Sequence, residues 1–147
     1  MFSLVEEYYD AVSVVARDDR ATLLAYLADS ESGVWLAYCD INAVGCILYR
    51  PLPAMGPAGE VKRLYVRPAF RGRGIAQELL ENVERFALDR GAKWLYLDTN
   101  DDLRAAIAFY ERNGYLRCPR YNDNPQATIF MRKRLSNDVQ GAREPRR

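Results

Sequence analysis

The 147-residue chain contains no histidine. This removes the side chain most often used as a general base near neutral pH, the Ser–His and Cys–His nucleophile pairs, and the commonest metal ligand. Any catalysis falls to carboxylates, tyrosines or backbone groups. Cysteine is scarce. Cys39, Cys46 and Cys118 are odd in number and lack C-x-x-C spacing, which fits reduced packing residues better than a disulfide framework or a zinc site. No metal is expected. No apolar run approaches the ~20 residues of a membrane span. The opening stretch MFSLVEEYYD has no basic segment leading into an apolar one. The expectation is a cytoplasmic protein with no membrane partner.

What is present is an ordinary globular balance, 49% hydrophobic and 28% charged, enough for one domain with a real core. A single domain over residues 1–135 is expected, followed by a polar tail, SNDVQGAREPRR, over 136–147. The net charge of +1 hides an uneven distribution. Residues 1–31 carry Glu6, Glu7, Asp10, Asp18, Asp19, Asp29 and Glu31 against Arg17 and Arg20. Residues 62–73 carry Lys62, Arg63, Arg67, Arg71 and Arg73 with no acid. Either cluster reads as a solvated face or as a ligand-facing one. The basic excess is too local for a nucleic-acid partner.

Periodicity predicts two helices in the first 30 residues. Phe2, Val5, Tyr9, Val12 and Ala16 lie on one, and Leu23, Leu24 and Leu27 on the second, capped by Asp18 or Asp19. GVWLAY and AVGCILY, separated by CDIN, predict a hairpin. After a Pro/Gly loop, EVKRLYV is a strand stopped by Pro68. Residues 75–90 form the clearest helix, with Ile75, Leu79, Val83 and Phe86 on one face and Gly91 as its C-terminal stop. KWLYLDT is a further strand. Asp101 or Asp102 is placed to cap a helix carrying Leu103, Ala106, Ile107 and Tyr110, ended by Gly114. YLRC and ATIFMRKRL read as final strands. Strand, helix and strand over 60–99 make a right-handed unit with parallel strands, between hairpins. The fold class is α+β, a mixed sheet with helices packed on it.

The loop RPAFRGRG joins a strand to a helix start, where backbone amides are unpaired and the helix dipole favours anions. Gly72 and Gly74 permit conformations closed to other residues and let a ligand approach the backbone. Arg71 and Arg73 add charge-assisted contacts. The chemistry points to a phosphate or pyrophosphate, and the alternative is a glycine-rich turn with two surface arginines. GRGIAQ fails the G-x-G-x-x-G dinucleotide pattern because Gln77 stands at its last position, and G-x-x-x-x-G-K-S/T is absent. What remains is R-x-x-G-x-A at Arg71, Gly74 and Ala76.

That remainder resembles the pyrophosphate loop of the GNAT superfamily, Q/R-x-x-G-x-G/A, whose members transfer an acyl group from acyl-CoA to an amine. EVKRLYVRP is similar to that family's central strand, LDT to its next strand, AAIAFYERNGY to its tyrosine-bearing helix and IFMRKRL to its last strand. The likeness runs from about Gly33 to Leu135, and within it the combination of GVWLAY, VGC, EVKRLYVRPAFRGRG, LDT and YNDNP resembles a group of small bacterial enzymes of the family. It implies a GNAT-like fold with two splayed parallel strands and acetyl-CoA as co-substrate without metal. Two departures stand out. Leu103 occupies the position where the family often has an asparagine on the cofactor arm, so that role is not carried over. The family also opens with a strand before its first helix, whereas this chain opens at the helix, so the first sheet edge is expected to be missing or differently filled.

The resemblance also implies roles. Leu64, Tyr65 and Val66 match the strand that pairs with the pantetheine arm, with the Val66 amide facing the thioester oxygen. Arg71, Gly72, Arg73, Gly74, Ile75 and Ala76 hold the pyrophosphate. Tyr110 matches the acid that protonates the departing thiolate, although a tyrosine there also reads as core. Glu60, eleven residues before Arg71, is the candidate base, and otherwise a strand-end salt-bridge partner. Asp98 is its rival, at the position where relatives that acetylate protein N-termini carry a glutamate. An amine that arrives neutral needs no dedicated base. The acidic first 30 residues and the YNDNP turn (Tyr121 to Pro125) border the acceptor side. The expected reaction is acetyl transfer to a primary amine of a small molecule. A non-catalytic acyl-CoA sensor and a protein or peptide acetyltransferase are the alternatives. A homodimer through an unpaired sheet edge is a further expectation.

Overall fold

Chain direction reverses first at Asp40, which adopts a left-handed turn (φ 55°) between two strand-forming runs. The result is the hairpin of β1 (Gly33–Cys39) and β2 (Asn42–Pro51). The computed structural model describes residues 3–4 and 20–136. The predicted first helix, most of the acidic segment and the tail lie outside the described residues. Before the hairpin stands α1 (Arg20–Ala28). After it come β3 (Ala58–Val66), α2 (Ile75–Asp89), β4 (Trp94–Thr99), α3 (Arg104–Arg112), the short β5 (Leu116–Arg117) and β6 (Ile129–Arg134).

The strands form one six-stranded sheet in the order β1-β2-β3-β4-β6-β5. Every neighbouring pair is antiparallel except β3 and β4, which are joined by the crossover through α2. The expected α+β mixed sheet is therefore the observed one. Among the described residues no strand precedes α1.

One face of the sheet packs on α2 and α3. Leu79, Leu80, Val83 and Ala87 of α2 meet Ile47, Val61, Leu95, Leu97 and Met131 from the sheet and Ile107 and Tyr110 from α3. Phe86 at the rim takes the edges of Trp35 and Tyr49 and the face of Arg90. Both helices end as predicted, with Gly91 and Gly114 at positive φ and the Ala92 and Tyr115 amides bonded back to the Ala87 and Tyr110 carbonyls. The start of α3 differs from expectation. Leu103, without a side-chain cap, precedes it, and its carbonyl accepts from Ile107. Asp101 is instead bonded to the Thr128 hydroxyl, and the Asp102 amide to the Asn100 side chain. These local bonds compete with capping. Leu24 and Leu27 of α1 are exposed, so this helix does not give those leucines to the core.

The feature that positions the site is in β3. Leu48 of β2 faces Lys62, but Cys46 faces Tyr65. One residue of β2 thus opposes two of β3, Arg63 and Leu64, which is a β-bulge. Arg63 takes up the extra length with φ at 52° and its carbonyl accepts the Cys46 thiol at 3.4 Å. Pairing of β3 with β4 stops at Val61–Leu97, immediately before the bulge, so Lys62 to Val66 leave β4 and the two parallel strands splay.

A β-branched side chain is costly at left-handed φ and glycine is at ease there. Arg63 already bears the Cβ cost of about 1–2 kcal/mol at this φ, so Arg63→Val should lower stability by adding β-branching, whereas Arg63→Gly should be tolerated, as measured by urea unfolding of the two variants beside the parent.

Candidate functional site

Two groups of polar residues lie on either side of the splay. The first surrounds the start of α2. Gly72 and Gly74 both have φ of 79°, and Gly74 is the residue from which α2 starts. A methyl group added at either position would meet no atom within 4 Å, so the backbone here is open to a ligand. The first hydrogen bond into the helix runs from the Glu78 amide to the Gly74 carbonyl at 3.0 Å. The amides of Ile75, Ala76 and Gln77 therefore have no helical acceptor and point out of the helix start. They open onto a cavity of about 740 Å³, lined by Val66, by the Phe70–Gly74 loop, by the first turn of α2, and by Phe109, Arg112 and Asn113 from the end of α3.

Arg71 has two duties. It lines this cavity, and its Nε donates to the Val66 carbonyl at 2.8 Å, which ties the loop to the end of β3. Its guanidinium also lies over the Tyr65 ring, and that of Arg73 lies over Phe70. The Arg67 amide bonds to the Val44 carbonyl of β2. Successive amides of a strand point opposite ways, so that of Val66 faces away from β2, into the splay. Arg112 is a cation of the cavity wall that sequence reading did not single out, because on α3 it reads as an exposed helix-end arginine.

The second group lies on the face of the sheet away from α2. Glu60 is wholly buried. Four donors meet it: Arg50 Nε at 2.8 Å, Lys62 Nζ at 3.3 Å, the Tyr121 hydroxyl at 2.6 Å and the Asn122 amide at 3.2 Å. Asp98 shares two of these partners, taking Lys62 Nζ at 3.2 Å and Asn122 Nδ2 at 2.6 Å, and adds Asn124 Nδ2 at 3.3 Å. The structure thus brings the two candidate bases into one network through Lys62 and Asn122. Burial pushes the Asp98 carboxyl up, but Lys62 and the two asparagine amides outweigh it and hold it below its ordinary value. A carboxyl held low is a poor proton acceptor near neutrality, which weakens Asp98 as a base. Burial, and then the Glu60 carboxylate, keep the Tyr121 phenol protonated well beyond its usual range.

Tyr121 reaches Glu60 because the turn before β6 is rigid. Asn122 and Asn124 accept the amides of Asn124 and Gln126, and Arg120 binds carbonyls at Asn124 and Ala127. The Tyr121 ring is wedged between Tyr96 and Phe130. The YNDNP segment is an Asn-rich turn that borders the two carboxylates. Arg50 was absent from the sequence reading because its partner lies across β2 and β3. The basic cluster of residues 62–73 disperses: Lys62 joins the carboxylates, Arg63 forms the bulge, Arg67 reaches Ser3, and Arg71 and Arg73 hold the loop. Of the acidic segment, Asp29 serves a turn, accepting the Glu31 amide and the Ser32 hydroxyl. Tyr110 is buried on α3 and packs against Phe109 and Tyr115.

A strand bulged away from its parallel neighbour, beside a glycine-bearing helix start, agrees with a comparison across known proteins. Residues 1–115 match the Acetyltransferase (GNAT) family. The chain belongs to the GNAT family. An uncharacterized N-acetyltransferase of Schizosaccharomyces pombe is 33% identical over 96 residues, which span 65% of this GNAT chain and 58% of that protein. The chain spans about half the length of the curated relatives it matches. A GNAT-family acetyltransferase from Staphylococcus aureus shares the fold at 20% identity, with a TM-score of 0.79 and 92% of each chain covered. The PaiA N-acetyltransferase of Thermoplasma acidophilum, solved in complex with coenzyme A, aligns at a TM-score of 0.66 and 21% identity over 78% of this chain and 70% of its own. Among the described residues no group of His, Cys, Asp or Glu is placed to hold a metal, and no helix is long and apolar enough to cross a membrane.

Because the folded value of Asp98 lies below the unfolded 3.8, its contribution to stability is present above that pH and is lost as pH falls through the folded value. Wild-type GNAT protein and Asp98→Asn should therefore differ most in urea unfolding near neutral pH and converge as the solution is acidified below 3.8.

Proposed function

We propose that this protein is an acetyl-CoA-dependent N-acetyltransferase that acts on the primary amine of a small molecule. The observation that carries the reading is the alignment of an open, amide-lined helix start with the gap the bulge makes between β3 and β4. The first can hold a diphosphate and the second can seat an extended arm between the diverging strands. The coenzyme A complex of the Thermoplasma relative supports the same donor here.

In this reading the pyrophosphate of acetyl-CoA rests on the loop and helix-start amides from Gly72 to Ala76, flanked by Arg71, Arg73 and Arg112. The pantetheine arm runs along Leu64, Tyr65 and Val66. The Val66 amide donates to the thioester oxygen and stabilises the charge that builds there as the amine attacks. A carbon–nitrogen bond forms, the carbon–sulfur bond breaks, and the leaving thiolate takes the Tyr110 phenolic proton. The attacking nitrogen loses its proton toward Glu60 through the Tyr121 hydroxyl, which faces that carboxylate at 2.6 Å. With donor and acceptor held in line, positioning supplies much of the rate.

Purified protein mixed with acetyl-CoA and a panel of small amines should release free thiol, read with a thiol reagent. Tyr110→Phe should lower kcat by about a hundredfold, the usual scale for a positioned acid. Gly74→Val should weaken coenzyme A binding by calorimetry, since it strains the left-handed residue and fills the cradle. Tight binding of coenzyme A without turnover on any amine would instead favour a sensor of acyl-CoA.

A further inference from the structure

One buried ionised cluster belongs neither to the cavity nor to the Glu60–Asp98 network. Glu84, midway along α2, is 3% exposed. Its Oε2 accepts from the Tyr115 hydroxyl at 3.0 Å and from Lys133 Nζ at 2.8 Å. Tyr115 is wholly buried in the turn after α3, and Lys133 reaches over its ring from β6. Burying a charged pair is expensive, and an apolar set of the same volume often does as well for stability. A phenylalanine would fill the space of the Tyr115 ring. The hydroxyl and the ion pair therefore call for an account other than packing.

That account comes from what Tyr115 touches next. Its amide donates to the Tyr110 carbonyl at 3.0 Å, and its ring meets the Tyr110 ring edge-on with centroids 5.8 Å apart. The Asn113 amide bonds to the same carbonyl, and the Asn113 side chain bonds to the Phe109 carbonyl at 2.8 Å. Phe109 and Asn113 are wall residues of the cavity. Fixing Tyr115 thus fixes the last turn of α3, the Tyr110 ring included. Burial, reinforced by Glu84 and by the nearby Tyr110, keeps the Tyr115 phenol protonated and so a donor.

We propose that Glu84, Lys133 and Tyr115 form a bracket joining α2, β6 and α3 that aims the Tyr110 hydroxyl at the sulfur of the bound thioester. The three are positioning residues, and the proposal rests on Tyr110 being the acid of the reading above.

The test uses coenzyme A itself and needs no knowledge of the amine. A phenol that donates to the sulfur favours the thiolate, so bound coenzyme A should lose its thiol proton about one pH unit below the free compound. The readout is the ultraviolet thiolate absorbance, taken as the difference between complexes with coenzyme A and with its desulfo analogue. Tyr110→Phe should abolish the shift. Tyr115→Phe should abolish most of it while the dissociation constant for coenzyme A stays within about twofold, and adding Tyr115→Phe to Tyr110→Phe should change nothing more. Glu84→Gln, which keeps an acceptor for the hydroxyl but loses the ion pair, should give an intermediate shift. A thiol unmoved by Tyr115→Phe while Tyr110→Phe moves it would overturn the bracket alone. A thiol unmoved by Tyr110→Phe would overturn the acid assignment and the bracket with it. A loss of affinity in Tyr115→Phe as large as its loss of shift would assign these residues to cavity shape and overturn the aiming role.

Discussion

The fold turns on one supernumerary residue. Two residues of β3, Arg63 and Leu64, stand opposite a single residue of β2, and the left-handed Arg63 absorbs the difference. Without it β3 would continue beside β4, and the sheet would close over the place where an acyl group could be handed across. With it, the pairing ends at Val61–Leu97 and the two strands diverge from Lys62 onward. A bulge is a modest local irregularity. Here it converts an ordinary parallel pair into a slot, and every element of the proposed chemistry is arranged around that slot.

The two sides of the slot are built on different physical principles. On the α2 side the wall offers backbone amides, two glycines at positive φ and two arginines, Arg71 and Arg112, a set suited to a diphosphate whatever is attached. On the opposite side recognition rests on side chains. The buried Glu60 and half-buried Asp98 carboxylates take donors from Lys62, Arg50, Tyr121 and two asparagines, and no buried side-chain polar atom among the described residues is left without a partner. A fully satisfied network of this kind is rigid.

Much of this was legible in the sequence, for identifiable reasons. The strand-forming runs, the apolar stripe of α2 and the stops at Gly91 and Gly114 follow from local periodicity and backbone preference, and they appear where expected. The R-x-x-G-x-A loop could be read because its chemistry is contiguous. The bulge could not, since nothing about arginine announces a left-handed residue, and the signal is the register of β2 against β3. Arg50 and Glu60 are likewise joined by sheet register. The cap expected of Asp101 or Asp102 failed because the Asp101 carboxylate accepts the Thr128 hydroxyl and Asp102 stands one residue ahead of Leu103, from which the helix starts.

The turn that brings Tyr121 to Glu60 is held by asparagine and arginine side chains. Its Tyr121, Asn122 and Asn124 donate to Glu60 of β3 and Asp98 of β4, so replacing them would leave carboxylates in those strands short of donors. The glycine-bearing loop before α2 is likewise tied to the sheet, through Arg71 and the Val66 carbonyl. In the proposed reading, inherited changes of acceptor would therefore fall on the exposed Asp123 and Pro125 while the three donors stay fixed.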